Sequence, residues 1–432
     1  MDWTLIEKSF NFHSLPCIYL DEKYVLFDPH SLRICSVDER EKLFANNALQ
    51  RLRNFGFTFG RKIRRFSQKE NHITLILTTD CNLACPYCYT ESKKQVINLD
   101  PKIAVAILDS QINYDNRVFI QFFGGEPTLN VDCIRQIFRH VNKKTKNVFF
   151  YITTNGVMPE RTLSFLIANK FGFYLSLDGT KEYHNKTRIT QKGEGTFDKV
   201  IEVLNRILEN NLAVKIRTTV TSENIDNMFQ FAEYMFNLGV KIIHFCPLVS
   251  VGLGAHKQKS FSDEEFQSQF VTELDKVLDL ARERGTKVLT PMTLALKKPS
   301  MPYCKIFHNE NKILITPEGK RTLCFGAQGE YNSIAQHFIF GDFDLSKGEF
   351  VYREGVKERI IEAYQENLKQ CSNCFAQFMC QGGCLAENLT LTGNMGQLPL
   401  SWCQMNRKLC YSFIERIYRY SKRRVSRVQD ID

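Results

Sequence analysis

Residues 73–88 read ITLILTTDCNLACPYC. The first seven, ITLILTT, form a short apolar, β-branched run of the kind that makes a buried strand. Directly after it come Cys81, Cys85 and Cys88, spaced C-x3-C-x2-C in one loop. Three thiolates can hold three irons of a [4Fe–4S] cube and leave the fourth iron without a protein ligand. That is a deficiency for pure electron transfer but a suitable seat for a small molecule that chelates through an amine and a carboxylate. A zinc knot is the competing use of such cysteines.

The pattern around this loop is regular. After ITLILTT (73–79), strands are expected at VFIQFFGG (118–125), NVFFYITTNG (147–156), FGFYLSLDG (171–179), AVKIRTTVT (213–221) and VKIIHFCP (240–247). Between them lie helical segments, the first opened by Asp100-Pro101, a good N-cap and first-turn pair. Apolar strands joined by helical crossovers predict a parallel sheet. Six such units make a partial (β/α)6 barrel, whose sites gather at the C-terminal strand ends.

Outside this region the texture changes. Residues 1–70 read as a small α+β section: CIYLDEKYVLFD (17–28) as strand, turn, strand, SLRICSV (31–37) as a third strand, and 38–57 as a helix. RKIRRF (61–66) is a basic linker. Residues 251–303 hold a loop and a bridging helix from about Ser262 to Glu283. After Cys304 come Gly, Cys and short hairpins such as KILITPEGKRTLC, and RKLCYSFIERIYRYSKRRVSRV (407–428) reads as a basic amphipathic helix within a 407–432 tail.

Composition bounds the function classes. The chain has 432 residues, 43% hydrophobic and 24% charged, which excludes global disorder. No apolar run spans a bilayer, and MDWTLIEKSFNFHS lacks a secretory pattern, so a cytoplasmic protein is expected. In a reducing compartment, 15 cysteines point to metal rather than disulfides. The net charge of +10 selects no partner by itself. No G-x-S-x-G or G-x4-G-K-[ST] supports a hydrolase or kinase.

Further strand ends carry candidate ligands. Gly124, Gly125, Glu126 and Pro127 (GGEP) close the second strand, where two glycines let the backbone approach a ligand and Glu126 offers an acceptor. Thr154 and Asn155 lie in TTNG, Ser176 and Asp178 in SLDG, and Arg217 on the fifth strand. Arg suits bidentate pairing with a carboxylate. Turn chemistry and an exposed charge are the plainer alternatives. His184 and Arg188 sit in a loop near these ends, with a solvated loop as their alternative.

A third constellation runs Cys304-x14-Gly319-x4-Cys324, then Cys371-x2-Cys374-x5-Cys380-x3-Cys384, then eighteen residues and Cys403. A pair of zinc ribbons is the competing reading. Together with Cys81, Cys85, Tyr87 and Cys88 and with GGEP, this pattern resembles the radical SAM superfamily with a C-terminal SPASM extension.

The resemblance implies S-adenosylmethionine (SAM) as cofactor and three [4Fe–4S] clusters. Cys81, Cys85 and Cys88 would hold the SAM-binding cluster. Tyr87, Gly124, Gly125, Glu126, Pro127, Thr154, Asn155, Ser176 and Arg217 would contact SAM. Cys304, Cys324 and Cys384 would hold a first auxiliary cluster, and Cys371, Cys374, Cys380 and Cys403 a second. The first has only three ligands, since KIFHNEN (305–311) carries no Cys. Its fourth position would be open, or filled by water, by His308 or Glu310, or by a substrate thiolate.

Cys17, Cys35, Cys133, Cys246 and Cys410 remain, with buried inert thiols as the default. Cys246 is a candidate substrate contact and Cys410 an alternative ligand. The N-terminal section resembles the winged-helix-like element that captures leader peptides by strand addition, in a truncated form, with a structural N-terminal cap as the alternative. The two basic runs would then favour an acidic leader.

The implied function is that of a peptide maturase acting on a ribosomally made precursor with a leader, installing a crosslink such as a Cys thioether. A reducing partner such as flavodoxin or ferredoxin is expected, and neither a membrane nor nucleic acid. Formylglycine generation by a sulfatase maturase, with Asp178 as base, is the first alternative. A non-enzymatic iron–sulfur regulator binding nucleic acid is the second.

Overall fold

The computed structural model describes residues 6, 8–12, 15–28, 33–44, 48–54, 70–89, 95–251, 263–291, 312–380, 382–422 and 428–430. Cys304, His308, Glu310 and the basic run 61–66 lie outside the described residues.

The N-terminal strands are β1 (Phe10–Phe12), β2 (Leu15–Leu20), β3 (Lys23–Asp28) and β4 (Arg33–Val37). β2 and β3 pair antiparallel around Asp21-Glu22, both at positive φ as a tight two-residue hairpin needs. The helix expected over 38–57 is instead two short ones, Arg40–Leu43 and Ala48–Asn54. One face of the sheet has its own apolar core of Phe12, Leu15, Cys17, Leu26, Cys35, Val37 and Leu43. The other face, Ile18, Val25, Phe27 and Ile34, belongs to the main core.

The central sheet is built from β5 (Glu70–Ile76), β6 (Arg117–Phe123), β7 (Val148–Thr154), β8 (Gly172–Ser176), β9 (Val214–Val220) and β10 (Ile242–Pro247), each parallel to the next. The Asp100 carboxylate caps the first crossover helix by accepting the Lys102 amide at 2.6 Å. Helix Val131–Lys144 turns Cys133, Ile134, Ile137 and Val141 inward, a 3.6-residue stripe. Phe122, Phe150 and Phe171 stack in this core.

The sheet is longer than six strands. β11 (Lys287–Leu289) adds in parallel to β10, and β12 (Lys312–Ile315) adds in parallel to β5. β13 (Lys320–Thr322), β14 (Ile339–Asp344) and β15 (Glu349–Tyr352) continue antiparallel, giving eleven strands. The hairpin expected at KILITPEGKRTLC is therefore also the join between the parallel sheet and the cysteine-rich region.

The basic helix expected from residue 407 begins at Leu400 and runs to Lys422, taking Cys403 into its first turn. Trp402, Met405, Tyr411, Ile414 and Tyr418 are buried along it. Several of its basic side chains find partners within the chain. Arg416 pairs with Asp279, Lys408 is buried with its ammonium 2.9 Å from the Ser268 hydroxyl, and Arg419 pairs with Glu415. β16 (Val428–Asp430) then joins the N-terminal sheet beside β4. Among the described residues, no helix is long and apolar enough to cross a membrane.

Glu387, on helix Leu385–Thr392, is buried and accepts the Ser250 amide at 3.0 Å, pinning the loop after β10 to the cysteine-rich region. Burial pushes its carboxyl up from 4.5 to about 7. Its raised native pKa means that this group's stabilisation is complete below the unfolded value and is lost as pH rises through about 7. The loss approaches about 3 kcal/mol at about 1.4 kcal/mol per pH unit. Glu387→Gln should match wild type in urea unfolding of the apo-protein near pH 5 and exceed it near pH 8.

Candidate functional site

The C-terminal ends of the parallel strands bring together Thr78–Tyr89, Gly124–Pro127, Thr154–Gly156, Ser176–Gly179 and Cys246. The cluster loop is held to the end of β6 by backbone bonds: the Gly125 amide donates to Thr78 at 2.9 Å and the Glu126 amide to Asp80 at 2.8 Å. This approach explains both glycines. A Cβ on Gly124, which sits at φ 148°, would come 2.5 Å from the Thr78 carbonyl oxygen. One on Gly125 would lie 2.8 Å from the Asp80 carbonyl carbon. Gly125→Ala must therefore push the cluster loop away. We expect a loss of about 3 kcal/mol in thermal or urea unfolding, as for overpacked cores.

Glu126 is fully buried, and its carboxylate gathers four donors. One oxygen accepts Thr128 N at 3.2 Å, the Thr128 hydroxyl at 2.7 Å and the Thr154 hydroxyl at 2.8 Å; the other accepts Asn155 N at 2.7 Å. It thereby ties GGEP to TTNG. Asn155 passes the order on: its Nδ2 donates to Asn82 Oδ1 at 2.8 Å and reaches Cys81 Sγ at 3.8 Å, while Asn82 Nδ2 donates to the Val157 carbonyl at 2.7 Å.

The three loop cysteines are each partly buried. Burial pushes the Cys81 thiol up to about 12 and the Cys85 thiol up to about 11; the Arg188 guanidinium opposes the shift at Cys85. The Leu83 amide points at Cys81 Sγ at 3.5 Å, the polarity a bound thiolate needs. Three thiols on one tightly tethered loop, with no carboxylate or imidazole ligand interposed, suit an iron–sulfur cube.

Ser176 and Arg217 are register partners on β8 and β9, so their side chains leave the sheet on the same face. Arg217 is half-buried beside Cys246 and Tyr89, and the Cys246 thiol is pushed up by burial. The neighbour of Cys246, which no local pattern announces, is this guanidinium.

Asp178 and His184 are fully buried and Arg188 nearly so, which removes the solvated-loop alternative for the latter two. Asp178 accepts Arg188 Nε at 2.7 Å, Thr219 N at 2.8 Å and the Tyr87 hydroxyl. The Asp178 amide donates to His184 Nδ1 at 3.3 Å. The Thr196 hydroxyl donates to the Arg188 carbonyl at 2.8 Å and lies 3.0 Å from His184 Nε2, so the bonding assigns the Nε2–H tautomer. Burial, then Arg188, depresses His184 to about 4.

A contact that sequence reasoning missed closes the outer side of the loop. The Ala84 amide donates to Ile189 at 2.8 Å, and Gln191 Nε2 donates to the Cys81 and Leu83 carbonyls, each at 3.1 Å. Nothing in KEYHNKTRITQ announces this role, because it depends on a fold-back of segment 188–195.

The second cysteine set converges as well. Cys371, Cys374, Cys380 and Cys403 act on one another electrostatically, and Arg407 stands by Cys374 and Cys403. The four come from a turn, helix Gln377–Cys380 and the start of the long C-terminal helix. Cys324 and Cys384 pack against a separate apolar cluster with Leu323 and Leu385. Tyr89, one residue after the loop cysteines, lies by both Cys88 and Cys324. Cys410 is buried against Met379, and Cys133 is a core thiol. Among the described residues, no three His, Cys, Asp or Glu converge closely enough to hold a single metal ion.

Comparison with known proteins agrees with this geometry. Residues 75–235 match the Radical SAM superfamily. The chain is 32% identical over 170 residues to a cysteine-type anaerobic sulfatase-maturating enzyme of Clostridium novyi, covering 36% of this chain and 45% of that relative. It thus spans under half of that relative's length. It is 23% identical over 390 residues to the radical SAM cyclopropyl synthase TigE of Paramaledivibacter caminithermalis, covering 83% and 78%.

Among solved structures, native anSMEcpe with bound AdoMet and Cp18Cys peptide superposes with a TM-score of 0.65 at 19% identity, over 82% of this chain and 99% of that one. Streptococcus suis SuiB bound to precursor peptide SuiA gives 0.58 at 15% identity, over 92% and 100%. With its parallel sheet, its cysteine loop after the first strand and its match over residues 75–235, the chain carries a radical SAM domain.

Proposed function

We propose that this protein is a radical SAM maturase acting on a ribosomally made, leader-bearing precursor peptide, in which it forms a crosslink, most naturally a Cys thioether. The observation that carries the reading is the placement of two cysteine sets in one domain body, with Tyr89 by both Cys88 and Cys324.

Cys81, Cys85 and Cys88 would hold a [4Fe–4S] cluster, and Tyr87, GGEP, Thr154, Asn155, Ser176 and Arg217 would surround SAM. Bound there, cluster and SAM would supply the one-electron chemistry that abstracts a hydrogen atom from the peptide. The chain's own residues then have distinct tasks. Glu126 keeps Asn155 and the GGEP turn against the cluster loop; its four internal donors make it an organiser of the SAM seat as much as a contact. Arg217, half-buried and always charged, is placed to receive a carboxylate. Cys371, Cys374, Cys380 and Cys403, and Cys324 and Cys384 with Cys304, would hold two auxiliary clusters. The N-terminal sheet would take the leader, and flavodoxin or ferredoxin would supply electrons.

Formylglycine formation is the second reading, favoured by the likeness to the Clostridium novyi sulfatase-maturating enzyme. The two differ in mass. A thioether keeps the sulfur and loses two hydrogens per link, whereas formylglycine made from Cys loses the sulfur. Mass spectrometry of a cysteine-containing precursor incubated anaerobically with the reconstituted enzyme, SAM and dithionite decides between them. An unmodified peptide, with 5′-deoxyadenosine still formed, would count against both.

A further inference from the structure

The cysteine loop is met at Tyr87 by a buried charge pair, Asp178 and Arg188. Arg188 Nε donates to one Asp178 oxygen at 2.7 Å and Nη2 to the other at 3.4 Å, in a bidentate arrangement. The same carboxylate takes the hydroxyl of Tyr87, the residue just before Cys88. The guanidinium also lies 5.8 Å from the Tyr87 ring centroid and acts on the Cys85 thiol. The pair is fixed from behind. Thr219 N donates to Asp178 Oδ1 at 2.8 Å, and Asn224 Nδ2 donates to the Asp178 carbonyl at 2.7 Å. His184 and Thr196 hold the backbone of both partners.

Such an aspartate is poorly placed to take a proton from substrate. Its oxygens are occupied by one guanidinium, one amide and one phenol, and it is fully buried. Two opposite charges in a low-dielectric seat act on a neighbouring redox centre only through their imbalance. The geometry points to Asp178 and Arg188 as a charge-balanced positioning pair that seats the cluster loop through Tyr87 and sets the reduction potential of a cluster held by Cys81, Cys85 and Cys88. The inference rests on the radical SAM reading of that loop, and it assigns Asp178 a role other than general base.

Removing one charge exposes the other. Asp178→Asn leaves a buried cation by Cys85 and should shift the potential of the SAM-responsive cluster positive. Arg188→Gln removes the cation and should shift it negative. Asp178→Asn/Arg188→Gln, neutral at both positions, should return close to wild type. EPR-monitored redox titration of the anaerobically reconstituted full chain, with SAM added to mark the responsive signal, reads all three.

Opposite shifts that cancel in the double variant support the pair. So does a single variant that cannot assemble the cluster while the double variant can. Equal potentials in all four proteins would overturn the proposal, as would shifts of one sign throughout. So would failure of every variant to assemble a cluster that wild type assembles, which would show a purely structural role. A wild-type chain with no SAM-responsive signal would instead refute the reading on which the inference rests.

Discussion

Cys85→Ala is expected to abolish 5′-deoxyadenosine formation and to remove one cluster's worth of iron, while the chain remains folded. The argument is one of ligand count. A cube with a substrate-binding iron has three protein thiolates and none in reserve. Among the described residues, no other thiol belongs to this loop: Cys133 is a core residue, and Cys246 stands beside Arg217. The fold does not need the thiol. The loop is tied by the Gly125 and Glu126 amides, by Asn155 to Asn82, and by Gln191 to the Cys81 and Leu83 carbonyls. Iron and sulfide analysis, circular dichroism and an anaerobic SAM-cleavage assay check the three parts. Retained turnover would mean that the loop is not the cluster seat.

Cys380→Ala should separate the two halves of the reaction. Crosslinked product disappears, whereas 5′-deoxyadenosine formed without peptide persists. Cys380 lies among Cys371, Cys374 and Cys403, and its thiol is pushed up strongly by burial. Four thiols gathered from a turn and two helices suit a metal that takes their protons, which separates them from the single core thiols such as Cys133. Its loss should remove one further cluster's worth of iron. It should also loosen the start of helix Leu400–Lys422, since Cys403 stands in the first turn there. If Cys380→Ala still yields full product, the second cluster is structural only.

The parallel strands were legible as short β-rich runs between helical segments, and β9 (VKIRTTV) shows the alternation of buried and half-buried residues that goes with one face on the core. The short β11 and the parallel pairing of β12 with β5 were not, since three- and four-residue runs carry too little periodicity. β16 was hidden for another reason: it joins Val428–Asp430 to a strand near residue 34, a contact no local pattern encodes. The basic residues of the C-terminal helix pointed to an acidic leader because charge alone does not reveal a partner within the fold; Asp279 on helix Glu264–Glu283 supplies one to Arg416.

Within the site, cysteine spacing announced a ligand set but not what holds it. Glu126 reads in the sequence as an acceptor for a ligand, yet in the fold it meets four donors of its own chain. Asp178, expected as a base, has Arg188, Thr219 and Tyr87 on its carboxylate. Buried carboxylates collect donors because an unpaired charge there is costly, and which donors they find is decided by tertiary structure.

The central claim is that the loop of Cys81, Cys85 and Cys88 holds a cluster with one iron free for the amine and carboxylate of SAM. EPR of the anaerobically reconstituted, dithionite-reduced protein, recorded before and after SAM is added, tests it directly. We predict that one reduced-cluster signal changes its g-values on SAM addition and that this change is absent in Cys85→Ala. A wild-type spectrum that SAM leaves unaltered would contradict the account.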